Sequence, residues 1–177
     1  LAALAHQRIA FVTGPPGNAD AAERLRGYRD ACRTHLVACS ADLEIEGDFS
    51  EASGYAAALK VLDMQPRPTA MFAANDAMAV GALFALREHE VRVPEDMAIV
   101  GFDDIPIARY VTPRLTTVTV AIAELGRRAI EVLLDTTGNK DSRRPPRETL
   151  STTLVVRESC GATAAAKRMK RSSGGKS

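Results

Sequence analysis

The chain has 177 residues, enough for one domain or one and a fraction, and 46% of them are hydrophobic, which excludes a disordered polymer. Its net charge of +1 conceals an asymmetry. Of the 23 Lys and Arg, five lie in residues 162–177 beside no acid, which leaves 18 bases against 22 acids elsewhere. A body near −4 is a poor surface for nucleic-acid phosphates, which require clustered Lys and Arg.

The last stretch, 162–177, reads as a solvated, disordered basic tail, with weak phosphate binding as the alternative. Cys32, Cys39 and Cys160 are an odd count without metal-ligand spacing, so reduced cytosolic thiols are expected. No apolar run approaches the ~20 residues that span a bilayer. The opening Leu-Ala-Ala-Leu-Ala-His is too short and uncharged for a signal peptide and reads as the last turns of a helix from something longer.

Taken in order, residues 8–13 (RIAFVT) form an apolar, β-branched run predicted to be a strand. Gly14-Pro15-Pro16-Gly17-Asn18 must be a loop. Asp20 is read as the N-cap of a helix over 21–36. A short strand at 43–45 ends at Gly47-Asp48-Phe49, and Ser50 caps a helix over 51–62 in which Gly54 is a blemish. Residues 69–74 are a third strand. Asn75-Asp76 starts a helix over 77–90, and 97–102 is a fourth strand that runs into Asp103-Asp104.

Strands starting near residues 8, 43, 69 and 97, with one helix in each gap, predict right-handed βαβ crossovers. The expected fold is a doubly wound parallel sheet with helices on both faces, which explains why the strands are apolar throughout. Beyond Asp104 the pattern changes. Residues 105–114 are irregular, 115–120 (LTTVTV) are a strand with interleaved threonines, and 121–134 are a helix with an apolar stripe of Ile122, Leu125, Ala129, Ile130 and Leu133. A polar loop at 136–147 and a last strand at 148–157 follow.

Ligands of doubly wound sheets bind outside the carboxyl ends of the strands. Those ends bring Asp20 and Arg24, Asp48 and Phe49, Asn75 and Asp76, and Asp103 and Asp104 to one rim. A forked donor, an amide, a carboxylate and a flat apolar face suit a polyhydroxylated ligand such as a sugar, and equally a nucleoside. Each residue also has a plainer reading. Asn75 or Asp76 could cap the helix, Arg24 could be solvated, Phe49 could be core, and Asp103 or Asp104 could end the strand by bonding backbone groups. Three acids could alternatively hold Mg²⁺, as in phosphoryl-transfer proteins. Otherwise enzyme signatures are scarce. His6, His35 and His89 lie far from the rim, Gly14-Pro-Pro-Gly17 is neither a phosphate loop nor GxGxxG, and there is no nucleophile elbow. Neither catalysis nor a cofactor is expected.

The segments HQRIAFVTGPP, ERLRGY, EGDF, RPTAMFAANDAMAVGAL, VRVPEDMAIVGFDD and PRLTTV, spread over residues 6–157, resemble the effector-binding region of LacI/GalR transcription regulators, which have the type I periplasmic-binding-protein fold. The resemblance implies that Arg24 grips effector hydroxyls or a carboxylate and that Phe49 stacks on the ligand. Asn75 and Asp103 complete the pocket, with Asp20 a weaker carry-over. It makes Val80, Phe84 and Tyr110 a homodimer surface. It also implies a cytoplasmic protein that reaches operator DNA only through an N-terminal helix-turn-helix domain not in this chain. Residues 1–114 and 148–161 are then the C-terminal effector-binding subdomain. Residues 115–135 belong to a second lobe, without which they lack the sheet they pack on, and half of the cleft is missing. A periplasmic sugar-binding protein of a transporter shares the fold and is the alternative.

Overall fold

The computed structural model describes residues 1–138 and 149–162. The tail beyond residue 162 and most of the predicted 136–147 loop lie outside the described residues.

Six strands form one sheet: β1 (Ile9–Val12), β2 (Glu44–Ile45), β3 (Ala70–Ala73), β4 (Ala98–Asp103), β5 (Thr116–Thr119) and β6 (Thr153–Val155). Their order is β2-β1-β3-β4-β5-β6. The first five are parallel, and β6 runs antiparallel to β5, so the sheet is mixed rather than purely parallel. The apolar runs of β1, β3 and β4 become the buried centre, where Phe11, Met71 and Ile99 are inaccessible to solvent.

Four helices connect these strands: α1 (Ala19–Thr34), α2 (Glu51–Asp63), α3 (Asp76–Glu88) and α4 (Ile122–Gly138). Each of the first three opens on a polar cap whose side-chain oxygen takes an otherwise orphaned N–H. The caps are Asn18, which accepts from Ala21, Ser50, which accepts from Ser53, and Asn75, which accepts from Met78. Asn18, not Asp20, therefore caps α1, and Asp20 lies exposed in its first turn. The expected helix ends at 36 and 90 retract for one shared reason. Leu36 and Glu90 adopt left-handed backbone (φ 53° and 57°), and the following Val37 and Val91 donate back to Cys32 and Leu86.

Gly54 is no blemish. A Cβ there would come within 2.0 Å of the Met78 carbonyl oxygen, and one at Gly81 within 1.9 Å of the Glu51 carbonyl. The two glycines let α2 and α3 meet backbone to backbone, which sets the position of Asn75 relative to Phe49. Right-handed connections put α1 on the opposite face from α2.

That opposite face is only partly covered among the described residues. An apolar trough of about 810 Å³ lies beside α1, floored by Phe72, Val100, Phe102 and Val118 and edged by Leu1 and Leu154. Helices lie on both faces as expected, but among the described residues they cover this one only in part.

The segment 115–135 divides. β5 is not orphaned, since it pairs with β4 from Val100↔Thr116 to Asp103↔Thr119. By contrast, the apolar stripe of α4 is in solvent, with Ile122, Ile130 and Leu133 exposed by 60% or more. The last strand shortens to Thr153–Val155, and the chain then returns to the sheet, where the Ser159 hydroxyl donates to Ile99 O at 2.7 Å.

Candidate functional site

The carboxyl ends of β1, β2, β3 and β4 converge as expected, and Arg24 lies at their centre. It stands on α1, in the second turn after the Asn18 cap, and its guanidinium lies 4.3 Å from the centroid of Phe102 and 5.8 Å from that of Phe49. One nitrogen donates to the Ala74 carbonyl at 3.0 Å, and the other reaches Asp103 Oδ1 at 3.4 Å. Both side chains keep some exposure, 19% for Arg24 and 31% for Asp103. This is a forked donor beside two rings and a carboxylate, and still open to solvent.

Asp103 is held in an unusual way. Burial pushes its carboxyl above the usual range, the Arg24 charge opposes that, and Asp20 adds to it. Asp20 is thus close enough to the rim to be felt there. The backbone at Asp103, Asp104 and Phe49 is left-handed, with φ of 106°, 55° and 72°. Half of the six non-glycine positive φ angles among the described residues therefore fall on this rim. Each costs of order 1–3 kcal/mol, and such strain gathers at binding sites.

Phe49 is half-buried against the core, and its ring passes directly over Gly14, where a Cβ would lie 2.2 Å from it. Gly14 is therefore the floor on which the ring rests. Asn75 serves as cap and as clamp. Its Oδ1 accepts from Met78 at 2.9 Å, and its amide donates to Phe49 O at 2.9 Å, fixing one strand-end loop to the next. Asp48 is spent locally on Ser50, whose N–H and hydroxyl it accepts, and these bonds hold its carboxyl down at about 2.

Behind this rim is an inner layer that the sequence did not reveal. Asp76 is fully buried, and burial pushes its carboxyl up to about 6. It accepts from the Thr117 hydroxyl at 2.6 Å and from Ile105 N–H at 2.9 Å. Asp104 pairs with Arg157 at 2.5 Å and with Arg109 at 3.4 Å, and its side chain is only 8% exposed. Phe102 also escaped notice. Period-2 alternation along β4 would have found it, because Val100 and Phe102 must share a face opposite Gly101. Nothing short of the fold joins Asp104 to Arg157, 53 residues away. Among the described residues, no group of three or more His, Cys, Asp or Glu is arranged to hold a metal.

Of the three residues expected at a dimer surface, Phe84 and Tyr110 are exposed, at 49% and 78%. Val80 is buried within the chain, at 9%, and can offer a partner little area. Phe84 is overlaid by Arg87, 5.0 Å from the ring centroid.

Fold and rim together define a class: a doubly wound binding domain that offers a ligand polar groups from several strand ends. Residues 1–160 match the family described as periplasmic binding protein-like domain. The ribose operon repressor of Escherichia coli K12 is 43% identical over 129 residues, which are 73% of this chain and 39% of that protein. Among solved structures, the transcriptional regulator CelR–cellobiose complex aligns with a TM-score of 0.84 at 39% identity, over 89% of this chain and 48% of that one. The Lac repressor dimer bound to operator and the anti-inducer ONPF aligns at 0.82 and 34% identity, over 90% and 54%. The chain belongs to the periplasmic binding protein-like family, as an effector-binding region of the kind found in LacI-type transcriptional regulators. It spans about two fifths of the length of the ribose operon repressor.

Proposed function

We propose that this chain senses a small polar effector for a LacI/GalR-type regulator and supplies part of its dimer contact. The observation that carries the proposal is Arg24, set against Phe102 and near Phe49, with one nitrogen reaching Asp103. A guanidinium fork and a carboxylate hydrogen-bond neighbouring hydroxyls, and the Phe49 ring covers a C–H face. Arg24, Phe49, Asn75 and Asp103 are the ligand-binding set, with Asp20 at its edge. Sugars are the first candidate class, since one relative is named for ribose and a neighbour was solved with cellobiose. Nucleosides satisfy the same chemistry. The site binds rather than catalyses.

Residues 1–114 and 148–161, together with β5, which pairs into the same sheet, form the sensing subdomain in this reading, and the exposed stripe of α4 faces a second lobe that closes over the rim. Closure on effector shifts the population of DNA-binding geometries. Operator DNA is reached through another domain, the protein works in the cytoplasm, and Phe84 and Tyr110 contribute to the homodimer. A transporter's binding protein shares the fold, but the relatives described above are regulators, which favours the regulator.

The test uses the whole gene product. Candidate sugars and nucleosides are added in turn while operator affinity is measured. An effector-linked change with at least one is expected; no change with any counts against the proposal.

A further inference from the structure

We propose that Asp76 is the positioning residue of the rim: it does not touch effector but holds Asp103 in the geometry that does. This rests on the effector-site reading above and extends it inward by one layer. Asp103 and Asp104 are consecutive non-glycine residues with left-handed backbone, a combination that persists only if its surroundings impose it. The residue that follows, Ile105, donates its N–H to Asp76 Oδ2 at 2.9 Å. Asp104 N–H leans on the Thr117 hydroxyl at 3.4 Å, and that hydroxyl donates to Asp76 Oδ1 at 2.6 Å. One buried carboxylate therefore fixes the strained turn both directly and through β5.

The surroundings are shaped for that carboxylate. A Cβ on Gly101 would fall 2.1 Å from Asp76 Oδ1, so β4 leaves a side chain out where the carboxylate sits. Asp76 is the first residue of α3, next to the Asn75 cap that clamps Phe49 O. The dipeptide Asn75-Asp76 thus anchors two of the loops that carry rim residues. Asp76 itself has no exposed surface and cannot meet a ligand in this state. A simple cap needs only the Asn75 bond to Met78, which leaves the two Asp76 bonds unexplained by capping.

The experiment uses the ¹⁵N-labelled chain, with D-ribose and cellobiose as probes at millimolar concentration. In Asp76→Ala, thermal melting stays cooperative, Ile105 amide exchange rises on the order of tenfold, and sugar affinity falls on the order of tenfold. Asp76→Asn, which can accept from Ile105 and donate to Thr117, restores both readings to within about threefold. A folded Asp76→Ala with unchanged Ile105 exchange and unchanged sugar affinity overturns the proposal. If Asp76→Ala does not fold, Thr117→Val carries the test: faster Asp104 exchange with weaker sugar binding supports it, and no change in either overturns it. If the unsubstituted chain binds neither sugar, the affinities are read on the whole gene product instead, and the Ile105 and Asp104 exchange rates still decide whether Asp76 holds the turn.

Discussion

Asp103 and Asp104 are neighbours in sequence with opposite circumstances. Asp103 faces the rim, stays 31% exposed, and meets Arg24 at 3.4 Å. Asp104 faces inward, is 8% exposed, and is clamped by Arg157 at 2.5 Å with Arg109 beyond. The pair shows how one dipeptide serves two layers. The outer carboxylate keeps unused hydrogen-bonding capacity, and the inner one has an arginine on each oxygen. A binding site needs both, since an open group is useful only if it cannot wander.

Breaking the inner layer is expected to have the largest effect on stability. Asp104→Ala removes a nearly buried carboxylate that accepts from Arg157 at 2.5 Å, which costs about 2–4 kcal/mol and lowers the melting temperature markedly. Melting of the variant checks this; a change under about 1 kcal/mol would show that the pair contributes like a surface ion pair.

Asp76→Asn sharpens the same contrast through pH. The folded-state carboxyl stands at about 6, above its unfolded value of 3.8. The folded chain therefore binds more protons than the unfolded one between these values, and stability falls as pH rises from about 4 to 6. The asparagine variant lacks that fall. It is expected to be more stable than the parent by about 1–3 kcal/mol at pH 7 and to converge with it below about pH 4. Paired melts across that range check it, and differences that do not vary with pH would contradict it.

The smallest expected effect lies away from the rim. Phe84→Ala removes an exposed ring at the proposed dimer surface and weakens self-association by about 1–2 kcal/mol. Sedimentation equilibrium reads this directly, and it should leave sugar binding at Asp103 untouched.

Much of the architecture was legible because it repeats. Four apolar runs with one helix between each pair fix the crossovers, and the crossovers fix which loops meet. The rim residues follow, so Arg24, Phe49, Asn75 and Asp103 could be named together. What escaped the sequence depends on distant partners. Gly54 looked like a defect because Met78, on another helix, was not in view. Asp20 was read as the cap of α1 and Asn18 as loop, because what decides the cap is which side chain reaches Ala21 N–H, and Asn18 does so at 2.9 Å. The resemblance put Val80 on the dimer surface, yet the packing of α3 buries it. The direction of β6 was also hidden, because a short strand reads the same either way.

The most direct test concerns the outer carboxylate. Candidate sugars and nucleosides are titrated against the chain and against Asp103→Ala, with melting followed in parallel. The expected result is at least one ligand whose affinity falls on the order of a hundredfold in the variant, about 2.7 kcal/mol, while melting stays cooperative. Equal affinity for every ligand in a folded Asp103→Ala would contradict the assignment of the rim.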